Sequence, residues 1–112
     1  MRGDITFMFI KAAAVQYTDP KTNITKVWCG YDHNAVYDYV AFSQSLYLRC
    51  KPDCCDEGFM TSEDTFISRS RALEIAKDAD QLKDLYKNTE DPILYSYMLK
   101  DNYQACVDPS LT

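Results

Sequence analysis

Ser68-Arg69-Ser70-Arg71 is the segment best placed to do chemistry, because it sets two cationic side chains in the first turn of what reads as a helix. Free backbone amides and the positive end of a helix dipole favour an anion there, and arginines at that position are mildly unfavourable until one arrives. A phosphate or pyrophosphate would remove the conflict, with Phe59, Phe66 or a tyrosine stacking on a base. The same residues have a plainer reading. Arg69 and Arg71 can pair with Glu63, Asp64 or Glu74 on the surface, and Phe66 can belong to the core.

Cysteines form a second candidate group. Cys29-x3-His33 and Cys50-x3-Cys54 could supply one histidine and three thiolates to a tetrahedral zinc. The spacing is not a CxxC pattern, and five cysteines (Cys29, Cys50, Cys54, Cys55 and Cys106) without secretory context read as reduced thiols, which often serve as small buried apolar groups. Cys29 and His33 would make a nucleophile and base only if their loop brought them within hydrogen-bond distance. There is no GxSxG, HExxH or P-loop pattern. The sequence therefore indicates a binder rather than an enzyme, with no cofactor or resident metal required.

Positioning those residues falls to one small core: 112 residues, 46% hydrophobic and 26% charged, is the composition of a single globular domain. Twelve basic against seventeen acidic residues, a formal charge of -5, argue against a protein that coats DNA or RNA, since that affinity comes from neutralising many phosphates. No apolar run approaches the roughly 20 residues of a membrane span, and the start lacks a signal-peptide core, which points to a cytoplasmic location.

Ile5 to Tyr17 and Ile24 to Cys29 are apolar and β-branched runs around the turn residues Asp19-Pro20-Lys21-Thr22-Asn23, and predict an antiparallel hairpin. Ala12-Ala13-Ala14 is weak strand sequence that could open a helix instead. Val36, Tyr37, Val40 and Ala41 predict a helix over about 34–43, capped by Asp32 or Asn34. Residues 50–56 read as a loop. Phe59 to Thr61 and Phe66 to Ile67, around Ser62-Glu63-Asp64-Thr65, predict a second hairpin. Ser68 then caps a helix over about 69–82 whose apolar face is Ala72, Ile75, Ala76, Ala79 and Leu82. The segment after Pro92 fits strand or short helix equally. The fold class expected is α+β, with an antiparallel sheet of two hairpins and two main helices.

Gly58-Phe59-Met60-Thr61-Ser62, Phe66-Ile67-Ser68-Arg69, then Ala72 and Ile75-Ala76 to Gln81, preceded by Gly30-Tyr31-Asp32-His33 and Ile10-Lys11-Ala12-Ala13-Ala14, together resemble a family of small phage proteins, the type 1 Thoeris anti-defence sponges. The likeness covers most of residues 10–99 through short motifs. It implies binding without catalysis: sequestration, in the bacterial host cytoplasm, of cyclic ADP-ribose isomers made by immune TIR enzymes, with some members also capturing cyclic oligonucleotides. It also implies a homodimer or higher homo-oligomer with ligand where protomers meet. Carried across, it makes Phe59 and Phe66 stacking residues, Thr61, Ser62 and Ser68 hydrogen-bonding residues, Arg69 the charge, and His33 a ligand or loop contact, while Arg71 is a ligand candidate through its place in the same helix turn. Two positions depart from the pattern: Asp32 stands where a basic residue often precedes the histidine, and Glu63-Asp64 put acids in a turn that usually carries glycine. Acids beside a pyrophosphate would repel it.

A sponge needs roughly nanomolar affinity, about 12 kcal/mol, and so a recessed, pre-formed pocket. The competing class is an acidic phage protein that inhibits a host or defence protein through Glu63, Asp64 and the tyrosine-rich end from Tyr95 to Tyr103.

Overall fold

A computed structural model of the protein describes residues 8–100. Ile5, Tyr103 and Cys106, which enter the sequence reading, lie outside the described residues. The chain is α+β: a four-stranded antiparallel sheet and two helices.

The first hairpin forms as the sequence predicts, from β1 (Ile10–Thr18) and β2 (Thr25–Gly30). Its reversal is closed by backbone bonds between Asp19 and both Asn23 and Ile24, with Asn23 at φ 61°, a left-handed conformation that asparagine tolerates. The three alanines stay in β1 because it is a central strand, hydrogen-bonded on both edges, where small side chains let flanking elements approach. The second hairpin joins β3 (Cys55–Thr61) to β4 (Phe66–Ser68), and the order across the sheet is β2-β1-β3-β4. Residues 50–56 are not the continuous loop expected. Two tight helical turns, Leu48–Cys50 and Pro52–Cys54, lead into a strand that starts at Cys55. The polar run Asp56-Glu57 becomes strand because it pairs with Gln16 and Val15 of β1, so tertiary context outweighs local propensity.

A register shift between Ile10 and Ala12 sets the side-chain parity of β1. The extra residue, Lys11, lets Ile10 share a face with Ala13, Val15 and Tyr17 rather than oppose them. Gln81 locks this bulge: its side-chain amide accepts from the Ile10 N–H at 2.7 Å and donates to the Ile10 carbonyl at 2.8 Å.

Both helices cover that one face. Helix α1 (His33–Gln44) packs Val36, Tyr37 and Val40 on Val15, Tyr17 and Trp28, over the β1 and β2 half. Its cap is Asp32, whose carboxylate accepts from the Ala35 N–H at 2.8 Å. Helix α2 (Arg69–Asp78) packs Ala72, Leu73, Ile75 and Ala76 on Ile10, Ala13 and Phe59. Ser68 caps it as predicted, but it stops short of residue 82. Asp80 adopts φ 55°, and the Asp80 and Gln81 amides bond back to the Lys77 and Ala76 carbonyls at 3.1 and 2.9 Å. That is a Schellman closure with aspartate in the usual glycine position. Ala79 is consequently half-buried, while Leu82 reaches the core from outside the helix, bridged to Leu99. The segment after Pro92 settles as a helical turn, Ser96–Met98.

Gly58 is obligatory where β3 pairs with β4, because an added methyl would lie 2.2 Å from the Ile67 carbonyl oxygen and 2.6 Å from the Phe66 ring. A backbone oxygen cannot step aside. Gly58→Ala is expected to lower stability in urea denaturation by about 2 kcal/mol; an unchanged midpoint would show that the strands have slack here.

Candidate functional site

Residues at the starts of both helices line a groove of about 860 Å³. One wall is the start of α1, with Tyr31, His33 and Tyr37, and Arg49 from the following turn; the other is the segment carrying Tyr95, Ser96 and Tyr97, with Lys83. Glu57 of β3 and Arg69 of α2 complete it. The volume is in the range of small-molecule sites.

Glu57 ties the walls together. It sits opposite Val15 on the helix-covered face, and its carboxylate accepts from the Tyr37 hydroxyl at 2.6 Å and from the Arg69 guanidinium at 2.6 Å. Burial and the neighbouring carboxylate hold the Tyr37 phenol well above its ordinary range, so Tyr37 is a fixed donor. Arg69 is held from three sides. Beyond Glu57, its Nε donates to the Leu94 carbonyl at 3.1 Å, and its guanidinium lies 4.8 Å from the centre of the Tyr95 ring. Tyr95 stacks on Tyr97 at 5.3 Å and 13°, and Tyr97 meets the Tyr86 ring edge-on at 5.7 Å. On the opposite wall Arg49 lies 4.7 Å from the Tyr37 ring centre. The groove is thus bounded by two arginine-on-tyrosine pairs, each with an aromatic face and a guanidinium. Ser96, between the stacked tyrosines in sequence, has its hydroxyl buried with no hydrogen-bond partner among the described residues, which costs stability.

Of the ligand residues expected from sequence, His33 and Arg69 line this groove and Phe59, Thr61, Ser62, Phe66, Ser68 and Arg71 do not. Phe59 is 0% exposed and packs edge-on against His33 at 5.1 Å. Thr61 is buried, its hydroxyl accepting from the Glu63 and Thr65 amides; Ser62 accepts from the Phe9 amide and Ser68 from the Arg71 amide. Phe66 lies over Gly58, and Arg71 pairs with Glu74 at 2.9 Å. Phe59, Thr61, Ser62, Phe66 and Ser68 therefore serve the core, the turn and the cap, and Arg71 takes the surface pairing weighed against an anion role. Arg69 is answered by Glu57 rather than by Glu63 or Asp64. Those two acids lie away from the groove, with Asp64 bonded to Lys11, so they do not repel a ligand there.

The cysteine constellation is not assembled. Cys29 pairs with Ala14 and is buried with Ala12 and Met60 on the sheet face opposite the helices, whereas His33 packs on the helix side against Phe59. Among the described residues no group of three or more His, Cys, Asp or Glu could hold a metal. The zinc set and the Cys29–His33 pair both fail on this geometry.

Tyr37, Arg49, Glu57, Tyr95 and Tyr97 were not proposed as ligand residues from sequence. The one usable signal was the two-residue spacing of Tyr95 and Tyr97, which the sequence reading assigned to a protein contact.

A small α+β domain with an aromatic and arginine-lined groove between two helix starts is the class these features define. Residues 9–100 match the family model described as Phage T4 y16D protein, and the chain belongs to that phage family. That description names neither ligand nor reaction. No curated protein and no solved structure gives a significant match. Among the described residues no helix is long and apolar enough to cross a membrane.

His33 makes the site's clearest pH signature. Its Nε2 lies 2.8 Å from the Gly58 carbonyl, which can only accept, so Nε2 carries the proton. Burial, ahead of all other influences, holds the imidazole below its ordinary range despite that bond. The unfolded chain then takes up a proton that the folded chain resists, so stability is full above the unfolded value of about 6.5 and falls as pH drops through it. Urea midpoints should decline from about pH 7.5 to about pH 5.5, and His33→Gln, whose amide can still donate to Gly58, should flatten that decline. Parallel profiles for the two proteins would contradict a buried neutral His33.

Proposed function

We propose that the groove binds a small phosphorylated nucleotide and holds it without turning it over, as a phage protein that withdraws a nucleotide signal from its host. The observation that carries this reading is the pair of opposed arginine-on-tyrosine contacts, Arg49 on Tyr37 and Arg69 on Tyr95. These contacts anchor an aromatic wall whose outer ring, Tyr97, is 57% exposed and suits a base, while the cations of the lining suit phosphate oxygens. The groove carries three cationic side chains, Arg49, Arg69 and Lys83, against two acidic ones, Asp32 and Glu57, on a chain whose net charge is -5. Arg69 is paired with Glu57 and Arg49 lies 3.5 Å from the exposed Asp38, so Lys83 is the lining cation without a carboxylate partner among the described residues, which suits one small anion rather than a polyanion. Retention without turnover is supported by the engagement of the groups able to move protons: His33 Nε2 is bonded to backbone, and Glu57 to Tyr37 and Arg69. Cyclic ADP-ribose isomers are the first ligands to test, since the resemblance to the Thoeris sponges names them. The homo-oligomeric state that the resemblance implies would give each assembly several such grooves.

A second reading, direct inhibition of a host or defence protein, is supported by Phe42 at 88% and Tyr97 at 57% exposed.

The test is retention. The protein is incubated with cyclic ADP-ribose closed at adenine N1, or at the ribose 2′ or 3′ oxygen, freed of unbound ligand, heat-denatured, and the supernatant assayed. Intact nucleotide is expected. A linear product would mean an enzyme, and no retained nucleotide would leave the protein-inhibitor reading. Tyr97→Ala should weaken binding about tenfold, the loss of one stacking contact, with circular dichroism unchanged; unchanged affinity would remove Tyr97 from the ligand's surroundings.

A further inference from the structure

Glu57 is an unexpected residue to find in a groove read as a phosphate-bearing nucleotide site, because a carboxylate repels phosphate. Its bonds make the choice intelligible. A carboxylate offers about four lone-pair positions. The Tyr37 hydroxyl and the Arg69 guanidinium occupy one on each oxygen, through Oε2 and Oε1. Acceptor capacity is left on both oxygens, and the side chain is 37% exposed while Arg69 is 20% exposed. Glu57 is therefore held rigidly by protein donors on one side and stands open to donors from the groove.

The charges of the lining sort what can face it. Arg69 is already neutralised by Glu57, whereas among the described residues Lys83 has no carboxylate partner. An incoming phosphate is drawn to Lys83 and away from Glu57. The part of a nucleotide able to face a fixed carboxylate is the part that donates hydrogen bonds without negative charge, and a ribose presents two adjacent hydroxyls that do so. The same pairing of an acidic side chain with a ribose 2′-hydroxyl recurs in dinucleotide sites of unrelated fold.

We propose that Glu57 is the specificity-determining residue of the groove: its carboxylate accepts hydrogen bonds from the ribose hydroxyls of the bound nucleotide, so that the protein selects ribonucleotides over deoxyribonucleotides. The proposal rests on the nucleotide reading above and adds the sugar to it. Tyr37 and Arg69 act through Glu57 as positioning residues. Each fixes one oxygen, so the remaining lone pairs point in set directions and the acceptor costs little to organise when the ligand arrives.

Calorimetric titration of the full chain tests it. The probes are the three cyclic ADP-ribose isomers, each compared with the same isomer lacking its free ribose 2′-hydroxyls. The wild type is expected to bind the hydroxyl-bearing form about tenfold more tightly, as for loss of a hydrogen bond to a charged acceptor. Glu57→Gln is expected to reduce that preference to about threefold or less, because the amide has one acceptor oxygen and brings a donor of its own. Equal affinity of the wild type for the two forms overturns the proposal while leaving nucleotide binding standing. An unchanged preference in a folded Glu57→Gln protein overturns it equally. Should Glu57→Gln fail to fold, the comparison of ligands on the wild type decides alone. If the wild type binds none of the isomers, the nucleotide reading falls and this proposal with it.

Discussion

One carboxylate on the covered face of the sheet sets the geometry of this protein. Glu57 stands opposite Val15 with its side chain 37% exposed, so solvent shares its charge and its importance lies in the two partners it joins. Its partners come from different elements, Tyr37 from α1 and Arg69 from the first position of α2. The shared carboxylate therefore bridges the two helix starts. Arg69 extends the constraint, since its backbone carbonyl accepts from the Leu94 amide and its side chain holds the Leu94 carbonyl and the Tyr95 ring. The walls of the groove are consequences of that arrangement.

The sheet makes it possible. Lys11 occupies the bulge that turns Ile10 onto the same face as Ala13, Val15 and Tyr17, and Gln81 pins the bulge with two hydrogen bonds. With apolar residues gathered on one face, both helices pack side by side on it. The opposite face keeps small buried residues, Ala12, Ala14 and Cys29, with Met60. Cys29 and His33, which looked like part of a metal or catalytic set in sequence, lie on opposite faces of the sheet.

Local physics was legible and long-range physics was not. Ser68 as a cap, the turn residues of both hairpins and the helical spacing of Val36, Tyr37 and Val40 are signals carried within a few residues, and each was read correctly. The end of α2 was misplaced because Asp80 takes the left-handed position that glycine usually advertises. Strand β3 was begun too late because Cys55, Asp56 and Glu57 are strand only through pairing with β1. The groove was mostly hidden for a related reason. Glu57 meets Tyr37 and Arg69 across separations of 20 and 12 residues, and nothing local marks those three as neighbours. An arginine at a helix start reads as an anion site until the partner carboxylate is found.

The claim that Glu57 couples the two helices is most directly tested by a double-mutant cycle on equilibrium unfolding with Tyr37→Phe, Arg69→Gln and the pair. Because both side chains use the same carboxylate, their effects should be non-additive by about 0.5 kcal/mol or more. Additivity within about 0.3 kcal/mol would mean that Tyr37 and Arg69 are independent, and that Glu57 does not organise the groove.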